Sequence, residues 1–318
     1  MSVNTKIYGN ENVTNTLTSM IDSGRVAHAF LLFGENGLGK KTIAANIAAQ
    51  IVSSGNTSGH TINPMSHPDI IWVEHSGAKQ GFSVETLRDL CADAFILPNN
   101  GEKKVYILAD CDNISVLAQN TLLKIVEEPP EFTHFIFTAQ SKSIFLPTVL
   151  SRVISLGVAE CSDKECRDAL SDKGYTDEAL INEALSSFSG NIGMCLGYLE
   201  DGELRKSVEL ARNITDSIIN KSEYQLLKAL TLLENNRQLA KTVFSMLDKI
   251  VRDSCVWKIN SGKDIGCYPN GARRLSGVFS SRKAIKLHEI FKNAMIAVDG
   301  NVNMSIEMSS ICGQIADI

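Results

Sequence analysis

Residues 28–52 read HAFLLFGENGLGKKTIAANIAAQIV, and this stretch decides the fold of the first part of the chain. The apolar run at 28–33 predicts a strand, the run at 41–52 predicts a helix, and a glycine-rich turn joins them. This context is typical of a phosphate-binding loop, whose glycines let backbone N–H groups point at phosphate oxygens while a lysine reaches the outer phosphates. The predicted phosphate-binding residues are Gly34, Gly37, Gly39 and Lys40.

The residue after Lys40 departs from this pattern. A working loop carries Ser or Thr there, because the hydroxyl ligates the Mg²⁺ that bridges the phosphates. This chain has Lys41, a cation that does not ligate another cation, and Thr42 lies one residue later, about 100° further round the helix. We therefore predict that Thr42 is a remnant of the site and that binding of ATP or ADP is weak or absent.

The segment at 104–112, KVYILADCD, supplies the second half of such a site. Two carboxylates normally follow the apolar strand, one to hold Mg²⁺ and one to activate the attacking water. One register places Ala109 and Asp110 at these positions, and the other places Asp110 and Cys111, so either register keeps one carboxylate. Asp110 is the predicted remnant, Asp112 is interpreted as a cap of the helix that follows, and no ATP hydrolysis is expected.

Further strands and helices alternate around these motifs. Apolar runs at 70–73, 105–109, 135–139 and 154–156 predict strands, and the segments at 84–95, 115–127 and 148–153 predict helices. Strands that are almost wholly apolar favour a parallel sheet covered on both faces, and hence an α/β fold of the P-loop NTPase type. Beyond residue 156 the periodicity is helical, apart from a Gly-, Asn- and Pro-rich segment at 260–271 that predicts a loop.

Charge and hydropathy restrict the function classes. The 318 residues carry a net charge of −5, with −3 in residues 1–157 and −2 in residues 158–318, so neither half is basic. A protein that acts mainly through phosphate-backbone contacts usually has a basic surplus, so DNA contacts are expected through partners. No apolar run approaches the roughly 20 residues of a membrane span, and residues 1–11 lack signal-peptide features, which predicts a cytoplasmic protein without membrane contact.

The eight cysteines are scattered and form no CxxC motif. Five of them fall in predicted helices, namely Cys91, Cys161, Cys166, Cys195 and Cys312. Such a pattern favours reduced thiols, mostly in the core, over disulfides or a metal site.

Three segments carry a resemblance to a known family. Residues 120–130, NTLLKIVEEPP, resemble the N-A-L-L-K-x-L-E-E-P-P signature of the clamp-loader subunits of bacterial DNA polymerase III, which are AAA+ proteins. Residues 23–30, SGRVAHAF, and 146–152, LPTVLSR, resemble two further segments of that family. The resemblance spans residues 1–200 and implies an AAA+ core at 1–157, a small helical lid at 158–204 and a helical collar for oligomerisation at 205–318.

Within this family the departures resemble the delta-prime branch rather than the gamma/tau motor subunits. Counting back eleven residues from Asn120, the spacing of the motors, leads to Ala109 instead of an Asp, and Gly193 stands where motors place the sensor-2 Arg. The family commonly has a four-cysteine zinc module after the first helix, yet residues 51–68 contain no cysteine. His60 and His67 alone make a poor zinc site, so no metal is predicted.

The resemblance also implies a role for Arg152, at the position of the family's arginine finger. Such a guanidinium stabilises charge on the γ-phosphate bound by a neighbouring subunit. The implied function is that of a non-catalytic subunit that needs no cofactor of its own. It would act with gamma/tau and delta subunits, and reach the sliding clamp and primer–template DNA through the complex. The alternative for Arg152 is a local ion pair. Thr138 occupies the family's sensor-1 region, and the alternative interpretation is that it is an ordinary hydroxyl at the end of a strand.

Two other functions remain open at this point. One is an ATP-hydrolysing motor subunit of the gamma/tau type, which an intact pair of carboxylates would have favoured. The other is an AAA+-derived scaffold outside replication, which leaves the EEPP and LSR segments unexplained. No polymerase activity is expected of this chain outside its holoenzyme, because no set of metal-binding carboxylates is evident. Arg205 and the pair Arg273 and Arg274 lie in no motif and are interpreted as solvated surface residues.

Overall fold

The computed structural model describes residues 6–54, 62–73, 75, 81–200, 202–259, 267–300 and 302–318. The chain divides into two compact units, Met1–Cys161 and Ser162–Ile318. The three-part division into core, lid and collar stays a prediction.

A five-stranded parallel sheet forms the centre of the first unit, in the order β2-β3-β4-β1-β5. Its strands are β1 Ala29–Phe33, β2 Ile70–Val73, β3 Lys104–Leu108, β4 Thr133–Ala139 and β5 Ile154–Gly157. The central strands β3 and β4 are buried along their whole length, because helices cover both faces of the sheet. The predicted parallel sheet is confirmed.

In the described residues of this unit, five α-helices surround the sheet: α1 Glu11–Asp22, α2 Lys40–Ser53, α3 Val84–Asp93, α4 Val116–Glu127 and α5 Pro147–Leu150. Successive residues of a strand point to opposite faces of the sheet. Leu31 therefore packs in the hydrophobic core that contains α3 and α4, while Phe30 and Leu32 pack in the core that contains α1 and α2. Helix α1 was missed by the sequence reasoning, because only Val13 and Leu17 of its mainly polar sequence are buried.

Helices alone make up the described part of the second unit, as predicted. They are α6 Asp163–Asp172, α7 Glu178–Phe188, α8 Ile192–Glu200, α9 Gly202–Ile219, α10 Glu223–Thr231, α11 Arg237–Ile259, α12 Pro269–Val278, α13 Ser281–Asp299 and α14 Met304–Ala316. No helix in the described ranges is long and apolar enough to cross a membrane.

The predicted loop at 260–271 is wrong at its end, because α12 begins at Pro269. Proline suits the first helical position, where its missing N–H has no partner to lose. Gly271 lies directly under the ring of Tyr268, where a Cβ atom would approach the Tyr268 Cδ1 to 2.0 Å. Glycine at position 271 therefore leaves room for the Tyr268 ring at the start of α12. The sequence pattern instead predicts that this glycine is part of a loop. Residues 260–266 lie outside the described residues.

No disulfide joins any of the eight cysteines, all of which lie in the described residues, and five of them are buried. Cys161 precedes α6 and does not lie in a helix, which corrects its predicted position. Burial is the largest cause of the raised pKa of Cys267, which reaches about 11, so this thiol stays protonated at neutral pH.

Candidate functional site

The loop between β1 and α2 has the curled backbone that its glycines predicted. Gly37 and Gly39 have φ angles of 86° and 82°, which residues with a Cβ rarely adopt. At Gly34 the limit is space, because a Cβ there would lie 2.4 Å from the Val158 carbonyl oxygen. The loop shape therefore depends on glycine at all three predicted positions.

Lys40 is buried inside this loop and is only 6% exposed. Its Nζ donates to the carbonyl oxygens of Gly34 and Glu35, each at 2.7 Å. Burial lowers the pKa of Lys40, while the carboxylates of Asp112 and Asp110 oppose that shift. The ammonium that would meet phosphate is thus already hydrogen-bonded by the loop itself.

Lys41 forms an ion pair with Asp110, the predicted remnant carboxylate. Asp110 directly follows the residue after β3 and adopts a left-handed conformation with φ of 53°. Its backbone N–H donates to the buried Thr138 Oγ1 at 2.9 Å, so the strand-end hydroxyl of β4 holds the turn after β3. The residue in the position of the Mg²⁺-ligating hydroxyl therefore neutralises the carboxylate that would face the metal.

Asp112 does not cap α4, which corrects the sequence interpretation. Its Oδ1 accepts from the backbone N–H of Gln140 at 2.7 Å, just beyond β4. The cap of α4 is Ser115, whose Oγ accepts from the Ala118 N–H. Asp112 thus ties the ends of β3 and β4 together, and its negative charge opposes the lowering of the Lys40 pKa by burial. Thr42 lies half-buried on the first turn of α2.

Arg152 lies just after α5 and makes the local ion pair that was the alternative to an intersubunit role. Its Nη2 donates to Glu127 Oε1 at 2.6 Å, and its Nη1 donates to the Thr148 carbonyl at 3.0 Å and to Ser151 Oγ at 3.1 Å. Glu127 is the first glutamate of the EEPP segment and ends α4. The Arg152 side chain is still one-third exposed.

The sequence reasoning missed Asn10, which makes two hydrogen bonds to Ala159. Asn10 Oδ1 accepts from the Ala159 N–H at 2.8 Å, and its Nδ2 donates to the Ala159 carbonyl at 2.9 Å. These two hydrogen bonds hold the segment before α1 against Ala159. The carbonyl of the preceding residue, Val158, is the group that limits the space at Gly34. The Gly9–Asn10 pair, both with positive φ, was the only local signal of such a turn.

Other predicted residues have local roles. His67 Nδ1 accepts from the Asp69 N–H at 3.2 Å, and His60 lies outside the described residues. Arg205 and Arg274 are not merely solvated, because Arg205 lies over the Tyr198 ring and Arg274 pairs with Asp216. Gly193 lies in the first turn of α8.

Comparison with known proteins assigns the first unit. Residues 9–161 match the family described as "DNA polymerase III, delta subunit". The first unit therefore resembles the clamp-loader subunits of DNA polymerase III. The chain is 34% identical over 158 residues to DNA polymerase III subunit gamma/tau of Mycobacterium tuberculosis, and the match covers 46% of this chain and 27% of that protein. The chain therefore spans about a quarter of the length of the first curated relatives it matches.

A second relative carries the name of the other branch of the clamp-loader family. DNA polymerase III subunit delta′ of Pseudomonas aeruginosa is 31% identical over 137 residues, which covers 40% of this chain and 42% of that protein. Among solved structures, a DNA polymerase III gamma subunit-related protein from Thermotoga maritima aligns over 95% of this chain and 98% of its own, with 14% identity and a TM-score of 0.53. That likeness concerns the fold.

Proposed function

We propose that this chain is a non-catalytic clamp-loader subunit of the delta-prime type. It would support loading of the sliding clamp onto primed DNA, with ATP hydrolysed in neighbouring gamma/tau subunits. The observation that carries the proposal is the ion pair between Lys41 and Asp110. This pair places a positive charge of the chain itself next to the carboxylate that a motor would use for its metal ion.

The chemistry of the loop supports binding of phosphate better than binding of Mg²⁺. Mg²⁺ takes oxygen ligands in octahedral geometry, and the loop offers an ammonium group at position 41 instead of a hydroxyl. Lys40 donates two hydrogen bonds to loop carbonyls, which a nucleotide would have to replace. We infer that ATP or ADP binds weakly or not at all, and that the chain turns over no ATP.

Arg152 is the residue proposed to act outside its own subunit. Its guanidinium would leave Glu127 and contact the γ-phosphate held by an adjacent gamma/tau subunit, where it stabilises the charge of the transition state. Partial exposure and an ion pair at the surface support this role, since an exposed pair is worth only about 0–1 kcal/mol and is easily exchanged. Gamma/tau and delta subunits are the proposed direct partners.

The test of the proposal is ATP turnover by the purified full-length chain with Mg²⁺. The expected result is a rate at background, equal for the wild type and for Lys40→Ala. Turnover at the rate of a purified gamma/tau subunit, abolished by Lys40→Ala, would contradict it.

An ATP-hydrolysing gamma/tau-like motor is the second candidate. Two observations favour it: the Mycobacterium relatives bear the gamma/tau name, and two carboxylates, Asp110 and Asp112, lie near the Lys40 ammonium. Against it, Asp110 pairs with Lys41 and Asp112 is bonded to the Gln140 amide. The same turnover assay separates the two candidates.

A further inference from the structure

Lys and Arg side chains are concentrated on the end of α11, on α12 and on the start of α13, although the whole chain is acidic. The described residues 249–259 and 267–286 contain eight Lys and Arg side chains and a single acidic residue, Asp253. The chain as a whole carries a net charge of −5, and the charge sums of its two halves hide this local surplus. A basic surplus confined to one surface is the electrostatic footprint expected of a polyanion site.

Two of these cations lie over aromatic rings, and a third is hydrogen-bonded to a backbone carbonyl. The Arg273 guanidinium lies over the Trp257 ring at 5.5 Å, and Lys283 Nζ lies 5.8 Å from the centre of the Phe279 ring. Lys258 Nζ donates to the Phe279 backbone carbonyl. These contacts join the end of α11, the helix α12 and the first turn of α13 into one continuous surface.

Five cations of this surface are unneutralised, and we call them the basic cluster: Lys258, Arg273, Arg282, Lys283 and Lys286. Two neighbours do have acidic partners, since Arg274 pairs with Asp216 and Arg252 with Asp253. No ion pair involves a member of the basic cluster among the residues that the structure describes. The nearest acidic residue along α13 is Glu289, one turn beyond Lys286.

We propose that the basic cluster binds the phosphodiester backbone of DNA. This gives the second unit a direct DNA contact that does not depend on nucleotide chemistry in the first unit. Cations fixed against rings and a carbonyl lose little side-chain entropy on binding, so they suit a ligand with a regular series of negative charges. An acidic protein surface is the less suitable partner, because protein surfaces mix both signs and, among the residues that the structure describes, no carboxylate pairs with a member of this cluster.

The contact has a definite chemical signature. Backbone binding is independent of base sequence and weakens as salt rises, because neutralised phosphates release their counterions. Five phosphate contacts on a single strand give a slope of about −3.5 in a plot of log affinity against log salt. The Trp257 ring under Arg273 reports the event, since a phosphate that binds Arg273 alters the environment of the indole.

The first measurement uses the full chain and a fluorescein-labelled 20-residue oligothymidylate, with binding followed by anisotropy at several salt concentrations. A second titration uses a duplex with the same number of phosphates. Comparing the two affinities shows whether the cluster prefers single-stranded or duplex DNA. Binding of either with a salt slope steeper than −2 is expected. A Trp72→Phe variant leaves Trp257 as the only tryptophan, and its emission is expected to change on the same titration.

Matched double variants locate the site. Arg273→Glu with Lys283→Glu is expected to weaken DNA binding at least tenfold, and Arg273→Gln with Lys283→Gln to weaken it to an intermediate degree. The control is Lys164→Glu with Lys206→Glu, which makes the same charge change on exposed residues of α6 and α9 and is expected to leave affinity within twofold. Circular dichroism and thermal midpoints establish that each variant is folded.

Three results would overturn the proposal. The first is equal loss of affinity in the control and cluster variants, which would indicate a general charge effect. The second is no binding at the lowest salt concentration. The third is affinity for oligoglutamate of the same net charge as high as that for DNA, which would identify an acidic protein as the partner.

Discussion

Arg152 Nη2 and Glu127 Oε1 lie 2.6 Å apart, so a side chain proposed to act in a neighbouring subunit is bound within its own. The contact joins the end of α4 to the residue after α5, and both belong to segments that resemble the clamp-loader family. Arg152 also donates to the Thr148 carbonyl, which lies one helical turn back. In the proposed role, the phosphate of a neighbouring subunit would therefore compete with one carboxylate for the guanidinium.

Replacing Arg152 by Ala is expected to change the stability of the isolated chain by about 0.5 kcal/mol or less, because the side chain is partly exposed. Assembly with gamma/tau and delta subunits is expected to survive, whereas DNA-stimulated ATP hydrolysis at the one site that receives Arg152 should slow by about 10³-fold or more, which lowers the total rate of the reconstituted loader. Arg152→Lys is expected to rescue poorly, because an ammonium lacks the planar fork that spans two phosphate oxygens. The measurement is loader ATPase at matched assembly, with Arg88→Ala as the control. Equal rates and equal clamp loading would leave Arg152 as a local ion pair.

Replacing Glu127 by Gln removes the charge that competes for Arg152. An exposed ion pair is worth roughly 0.2–1 kcal/mol, so the ATP concentration that half-saturates the reconstituted loader is expected to fall by a factor of about 1.5 to 5. Glu128→Gln makes the same change at the next residue and is expected to have no effect. A lower maximal rate in Glu127→Gln would instead show that Glu127 positions Arg152 for the reaction.

Replacing Lys41 by Ser removes the built-in cation and supplies a hydroxyl next to Asp110. Because both could then serve a metal ion, a fluorescent ADP analogue is expected to bind at least about tenfold more tightly in Mg²⁺ than in EDTA. In the wild type, Mg²⁺ is expected to have no effect on nucleotide binding. Lys41→Ala breaks the same ion pair without adding a ligand, and is expected to stay insensitive to Mg²⁺. The same response to Mg²⁺ in all three proteins would contradict the assigned role of Lys41.

The stability of the first unit is expected to depend on pH through His134. Burial in β4 lowers the pKa of His134 to about 4, an effect that Lys103 and the His28 ring stacked at 5.5 Å reinforce. The unfolded chain takes up a proton near pH 6.5 and the folded chain only near pH 4. The free energy of unfolding therefore has its full value above pH 6.5. It falls by about 3 kcal/mol in total as the pH drops towards 4.

Urea unfolding of a Trp257→Phe variant, whose remaining tryptophan is Trp72, measures this effect within the first unit at several pH values between 4 and 7.5. His134→Phe is expected to lose some stability at pH 7, because the bond between Nδ1 and the Ala27 carbonyl is gone, and to show a flatter pH dependence. His288→Phe, a change in the second unit, is expected to leave the slope unchanged. An unaltered slope in His134→Phe would assign the acid sensitivity to other groups.

Local patterns predicted most of the secondary structure. The strand at 70–73 has its predicted bounds, and those of the other four strands differ by one or two residues, because wholly apolar runs between turns have few alternatives. Helix α1 and the start of α12 were missed, since a polar helix with two buried residues and a Pro–Asn–Gly segment both lack the usual signal. The role of Asp112 was wrong because its partner, the Gln140 amide, comes from a different strand end.

The sequence by itself determined the alternation of strands and helices, the glycine loop around Lys40 and the absence of a hydroxyl at position 41. These features follow from burial of apolar runs and from backbone angles that only glycine adopts readily. Only the tertiary structure decided that Lys41 meets Asp110 and that Arg152 meets Glu127. Each pair joins side chains from separate elements, and their approach depends on the order of β3, β4 and β1 in the sheet and on the packing of α4 against α5, which no local pattern specifies.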